Sequence, residues 1–167
     1  MRHGIVAAAL VLAAFSDARP CVAQPASTPG PLASVAKLYQ EFAAEAVIDS
    51  PELVPLDLFG RPKAAMARYL DDSLVSLVLA DRACAERTGE ICHLDFSPIW
   101  DAQDAVGATV KLSSAKDPSR VAAEISFPDK TVSRLTYVMV KTAAGWRIHD
   151  ILYDKHASLV SMLRIKS

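Results

Sequence analysis

The stretch Leu135-Thr136-Tyr137-Val138-Met139-Val140-Lys141, followed by Thr142-Ala143-Ala144-Gly145 and then Trp146-Arg147-Ile148-His149-Asp150-Ile151-Leu152-Tyr153, decides the fold. Two runs rich in apolar residues flank a short loop whose glycine can take the left-handed conformation, which predicts an antiparallel hairpin. The same period of two recurs upstream. Ala108, Val110 and Leu112 alternate with Thr109, Lys111 and Ser113, and Val121, Ala123, Ile125 and Phe127 alternate with Ala122, Glu124 and Ser126. Each of these segments reads as a strand with one buried face.

A buried sheet face must be covered, and the amino-terminal half supplies the cover. Val35, Leu38, Tyr39, Phe42 and Ala46 recur at helical spacing from Leu32 to about Val47. Residues 49 to 62 hold three prolines and a glycine and read as a connection. A second helix is expected from after Pro62 to about Cys84, with Met66, Tyr69, Leu70, Leu74, Leu77 and Val78 on one stripe. Asp71, Asp72, Asp81 and Arg82 then face water for the most part. A last short helix is expected over Ser158 to Ile165. Two helices followed by four strands with short connections predict an α+β fold, amino-terminal helices on a four-stranded antiparallel sheet, rather than a βαβ wind.

With 167 residues, 51% of them hydrophobic and 22% charged, the chain suits one globular domain, placed over residues 32–167, and not a disordered or collagen-like chain. Arg2 and His3 precede the apolar run Gly4 to Phe15, and Cys21-Val22-Ala23 offers small residues for cleavage. Residues 1–23 therefore read as a secretory signal peptide cut after Ala23, and Ser16 to Pro20 end the run too early for a membrane span. Lipid attachment at Cys21 is the rival outcome, disfavoured by Arg19 and Pro20 before it. Residues 24–31 form a flexible, proline-rich leader. The expected location is periplasmic or secreted, with no stable membrane insertion after cleavage. Removing residues 1–23 takes Arg2, Arg19 and Asp17, moving the formal charge from −1 to −2, which is no nucleic-acid footprint.

Two cysteines are then left in an oxidising compartment, which pairs Cys84 with Cys92 as a structural disulfide. Their spacing is not Cys-x-x-Cys, and a zinc site with His93 lacks a fourth ligand.

Several stretches carry a resemblance. The exported amino terminus, the helix around Leu38-Tyr39-Gln40-Glu41-Phe42, the segment Leu94-Asp95-Phe96-Ser97-Pro98-Ile99-Trp100-Asp101-Ala102-Gln103-Asp104 and the closing Gly145-Trp146-Arg147-Ile148-His149-Asp150-Ile151 resemble a bacterial family of exported proteins and lipoproteins classed as a domain of unknown function. The resemblance covers roughly residues 33 to 165. It implies the nuclear transport factor 2-like fold, in which helices close a curled antiparallel sheet into a cone, and brings no established activity. The chain departs from that family in lacking a lipid-attachment motif and in carrying His149 where an acidic residue is common.

Candidate chemistry centres on Asp150. Strict alternation puts Trp146, Ile148, Asp150 and Leu152 on one strand face, so this carboxylate is either a pocket acid with a raised pKa or a structural group that pairs with an arginine or caps loop amides. Asp95, Asp101 and Asp104 do not have the spacing of a calcium loop, and Ser97 followed by Pro98 instead predicts one or two helical turns over residues 98–104 with Trp100 packed inward. No Gly-x-Ser-x-Gly elbow or phosphate-cradling glycine loop is present in the sequence. The candidate ligand-binding residues are Trp100, Asp101, Asp104, Tyr137 and Asp150, with no metal or cofactor expected. The expected function is a non-enzymatic binding module for an envelope protein or a small apolar ligand. The alternatives are a small-molecule isomerase or hydrolase using Asp150 with a tyrosine, and an inhibitor or immunity protein against a secreted toxin.

Overall fold

The computed structural model describes residues 29–49 and 57–165; the expected signal peptide, nearly all of the expected leader and part of the 49–62 connection lie outside them. Helix α1 (Pro31–Phe42) and the single turn α2 (Ala44–Val47) realise the first amphipathic segment, interrupted at Ala43, with Val35, Leu38, Tyr39 and Phe42 buried. Four strands follow the helices: β1 (Thr109–Ser114), β2 (Arg120–Ser126), β3 (Val132–Thr142) and β4 (Gly145–Tyr153). They pair antiparallel in the order β1-β2-β3-β4, so the protein is α+β with a four-stranded antiparallel sheet, as the period-two segments predict. No helix of the described residues is long and apolar enough to cross a membrane.

One sheet face is buried. Register sets Val121 opposite Tyr137, Tyr137 opposite Ile151, Ala123 opposite Leu135 and Leu135 opposite Tyr153, and all of these side chains belong to the core. Helix α1 packs across β1, β2 and β4. The β3–β4 connection is Ala143-Ala144, neither of which has positive φ, followed by Gly145 at φ 103°. That is a hairpin whose left-handed position falls on the glycine.

The second helix is not continuous. It divides into the single turn α3 (Lys63–Met66) and the long helix α4 (Asp72–Thr88), although no proline or glycine stands between them. The break is tertiary in origin. Residues 69–71 leave the helix and pair in parallel with the edge of β4, Ile148 N–H donating to the Tyr69 carbonyl at 2.7 Å and Asp71 N–H to the Ile148 carbonyl at 2.9 Å. Leu70 is thereby fully buried.

Asp71 consequently does not lie on a watery helix face. It is the N-cap of α4, accepting the Leu74 N–H at 2.8 Å, and its other carboxylate oxygen meets His149 Nδ1 at 2.6 Å. Asp81 also departs from expectation: it is buried, with His93 Nδ1 at 2.7 Å from its Oδ1. Cys84, in α4, and Cys92 form the expected disulfide, which ties the segment carrying His93 to that helix. Helix α4 ends at Gly89, a left-handed cap at φ 75°.

Strand β4 breaks the alternation that the sequence suggests. Val138 pairs with Asp150 but Met139 pairs with Ile148, so His149 is an extra residue in a bulge. Ile148, Ile151 and Tyr153 all reach the core, which strict alternation forbids. Asp150 is therefore parted from the face of Ile148. Its Oδ1 accepts the N–H of Ile151 at 2.8 Å and that of Val160 at 2.9 Å, in the first turn of α5 (Leu159–Leu163).

The docked segment gives a direct test. Asp71→Ala removes both the α4 cap and the partner of His149, and urea denaturation should show a loss of about 1–2 kcal/mol. His149 is only partly buried, so His149→Ala should cost less, about 0.5 kcal/mol. Equal costs for the two variants would mean that capping contributes nothing.

Candidate functional site

The space between helices and sheet is filled by aromatic side chains whose polar atoms are engaged. Tyr39 donates its hydroxyl to the Ile99 carbonyl at 2.7 Å, which leaves Tyr137 to donate to the Tyr39 oxygen at 2.8 Å. Tyr153 donates to the Pro98 carbonyl at 3.0 Å. Tyr39 meets Trp100 edge-on at a centroid distance of 5.1 Å and Tyr137 at 6.2 Å. Burial, first of all, raises the pKa of all three phenols far above the usual tyrosine range, so they stay protonated at any physiological pH. Trp100 and Tyr137, both expected at a ligand site, are thus members of this interior.

The other polar group here is Glu45, in α2. Its Oε2 accepts Trp100 Nε1–H at 2.7 Å and sits 3.5 Å from the Ser97 hydroxyl, while Oε1 is buried without a hydrogen-bond partner. Burial, reinforced by the negative charge of Asp57, pushes the carboxyl up to about 7, against the hydrogen bonds of Trp100 and Ser97 and the charge of Arg61. Sequence periodicity gives no hint of this group, because what makes it unusual is the remote Trp100.

Of the helical turns expected over residues 98–104 only one hydrogen-bonded turn forms, Trp100 N–H and Asp101 N–H donating to the Ser97 carbonyl at 3.1 and 2.9 Å, and no helix follows. Ser97 and Ala102 close a tight loop through a bridge, Ser97 N–H donating to the Ala102 carbonyl at 2.8 Å, and Asp101 takes φ 54°. Asp is one of the few residues that tolerates this left-handed conformation. The loop turns Trp100 inward and leaves Asp101 beside a recess at the surface.

That recess, about 610 Å³ and open to solvent, is lined by the 101–106 loop, the β2–β3 turn and the turn after β4. Asp101 Oδ1 lies 2.6 Å from His156 Nε2, and the other ring nitrogen of His156 lies 3.2 Å from the Ala157 carbonyl. With both nitrogens occupied, His156 orients Asp101 and is not placed to move a proton on a ligand. Asp104 Oδ1 accepts the Val106 N–H, and Asp129 Oδ1 accepts the N–H and hydroxyl of Thr131. Phe127, Pro128 and Val106 give apolar wall, and Ser133, only 5% exposed, lies against the recess from the buried face of β3.

The five expected ligand residues therefore fall in three places: Trp100 and Tyr137 in the interior, Asp101 and Asp104 at the recess, Asp150 at the start of α5. Ser133 was readable in the sequence, since it shares the parity of Leu135 and Tyr137 and is a lone hydroxyl at an inward position. Asp129 and His156 had no local signal. Among the described residues no three His, Cys, Asp or Glu side chains are grouped so as to hold a metal ion.

Two variants probe this architecture. An acid whose pKa is higher in the folded than in the unfolded chain binds its proton more tightly when folded, so Glu45 makes stability fall as pH rises from about 4.5 to about 7. Glu45→Gln should be more stable than the parent at pH 8, by about 1 kcal/mol given the solvent that still reaches the site. The gain should vanish below pH 5 in urea denaturation. Gly107 has φ 77°, and an added Cβ would stand 2.6 Å from Pro128 Cγ. Gly107→Ala should thus cost about 1–2 kcal/mol, combining backbone strain with displacement of one recess wall.

The chain matches no protein-family model and no curated protein. A crystal structure of a protein of unknown function from Bacteroides thetaiotaomicron VPI-5482 is similar to this chain at 16% sequence identity and a TM-score of 0.42, covering 72% of this chain and 87% of that one.

Proposed function

We propose that the protein is an exported, non-enzymatic binding module with a nuclear transport factor 2-like fold, whose ligand or partner seats in the surface recess and not between the helices and the sheet. The filled interior carries this reading. Tyr39, Tyr137 and Trp100 occupy the space where a cone-shaped fold would hold a ligand, and their polar atoms bond to Ile99, Glu45 and one another. Asp150, the carboxylate an isomerase or hydrolase would need, spends one oxygen on two backbone amides and does not line the recess. The recess is instead concave, mixed in polarity and of a size suited to a small ligand. The disulfide supports export, because such bonds persist in oxidising compartments.

Native mass spectrometry of the protein purified from its own periplasm tests both parts. The expected product begins at Gln24 and carries an additional bound mass, which is lost in a Val106→Trp variant of unchanged thermal stability. A chain that keeps residues 1–23 overturns export. Absence of any retained species, or one that survives Val106→Trp, overturns the recess as the binding site.

A further inference from the structure

We propose that the recess is a site for a small organic ammonium with an apolar body, of the aryl-alkyl primary amine class; this rests on the reading of the recess as the ligand site and names its chemistry. Charge gives the first reason. Asp101, Asp104 and Asp129 all line the recess. Each uses Oδ1 locally, on His156, on the Val106 N–H and on Thr131 respectively, while Oδ2 of each has no hydrogen-bond partner among the described residues. Lys155 is the only lysine or arginine in the lining, and its Nζ donates to the Val132 carbonyl at 2.9 Å. Three carboxylates thus face one lysine and the His156 ring, which pairs with Asp101, and the unspent polar atoms of the lining are acceptors.

The second reason is the Ser133 hydroxyl. Ser133 is 5% exposed as a residue and lies against the recess, and its hydroxyl, which solvent reaches there, is bonded by no group among the described residues. An ammonium supplies three donors and no acceptor, which suits carboxylate oxygens together with a hydroxyl oxygen. The Thr131 hydroxyl and amide hold the Asp129 carboxyl below its usual range, so its charge persists into acid.

Shape gives the third reason. Val106, Phe127 and Pro128 offer an apolar surface beside the carboxylates, which a bare metal ion could not use, and no three metal-ligating side chains are grouped there among the described residues. An aromatic ring on those side chains would bring its aminomethyl group toward the carboxylates. An anionic ligand would meet the wrong sign of charge.

The experiment is an NMR titration of the mature chain with three probes of nearly equal shape: benzylamine, benzyl alcohol and benzoate. Benzylamine should shift the amides of Val106, Asp129 and Ser133 saturably, bind at least 10-fold more tightly than the alcohol or the acid, and weaken as salt is added. Asp104→Asn and Asp129→Asn each keep the Oδ1 acceptor that shapes the local turn, and each should weaken benzylamine several-fold while leaving benzyl alcohol unchanged. If benzyl alcohol or benzoate binds the same amides as tightly as benzylamine, the ammonium assignment fails and the recess survives as a ligand site. If none of the three shifts those amides, the recess reading fails and takes this proposal with it.

Discussion

The bulge at His149 is the constraint on which the arrangement of helices and sheet depends. One extra residue in β4 lets Ile148 face the core while the chain beyond it also delivers Ile151 and Tyr153 to the same side. At that point the edge of β4 accepts residues 69–71, and their pairing forces the helical chain to break and restart. The restart needs a cap, and Asp71 provides it while also holding the ring of the bulged residue. A sheet edge that would otherwise present unpaired amides is covered by the same contact. Helix direction, edge protection and the path of β4 are consequently one structural decision.

A second consequence concerns buried polar groups. The interior is aromatic and carries hydroxyls, an indole N–H and a carboxyl, so it is stable only where donors and acceptors match. The three phenols and Trp100 match fully. Glu45 does not, because Oε1 finds no partner, and the negative charge of Asp57 adds to its cost. Protonation relieves that cost, which is why a carboxyl in this position titrates near neutrality while carboxylates in the exposed turns, bonded to Ser119 or Thr131, titrate low.

Local sequence made the strands and the first helix legible, because a half-buried strand or helix must repeat its apolar residues at the period of its own geometry. β2 follows that rule along its whole length and β3 follows it as far as Val140. The disulfide followed from compartment chemistry. What escaped the sequence is what distant contacts decide. Ala67-Arg68-Tyr69-Leu70 contains no helix breaker, yet the helix ends there because Leu70 gains a place beside Ile148. Strict alternation along β4 put Asp150 on the face of Ile148, and the bulge, which answers to the docked segment and not to the strand's own pattern, parts them, while the alternative of a carboxylate that caps loop amides is the arrangement found. The loop at 98–104 escaped because Ser97-Pro98 is a sound helix start, and only the closure between Ser97 and Ala102, with Asp101 in the left-handed region, shows that the chain folds back instead.

The recess is built from turns, and turns are ordinarily the most mobile parts of a domain. Here the carboxylates themselves limit that mobility. Asp104 accepts from the amide two residues on, as does Asp129, and Asp101 is held by His156, which in turn stacks on the buried Tyr153 at 4.3 Å. Gly107 lets the first turn lie against Pro128 of the second, so two loops support each other across one wall. A carboxylate fixed through one oxygen presents the other in a defined direction, and a ligand that meets such a rim does not have to order it. The cost of organising the site was met in folding, which is the condition under which a small, shallow recess can hold a ligand at all.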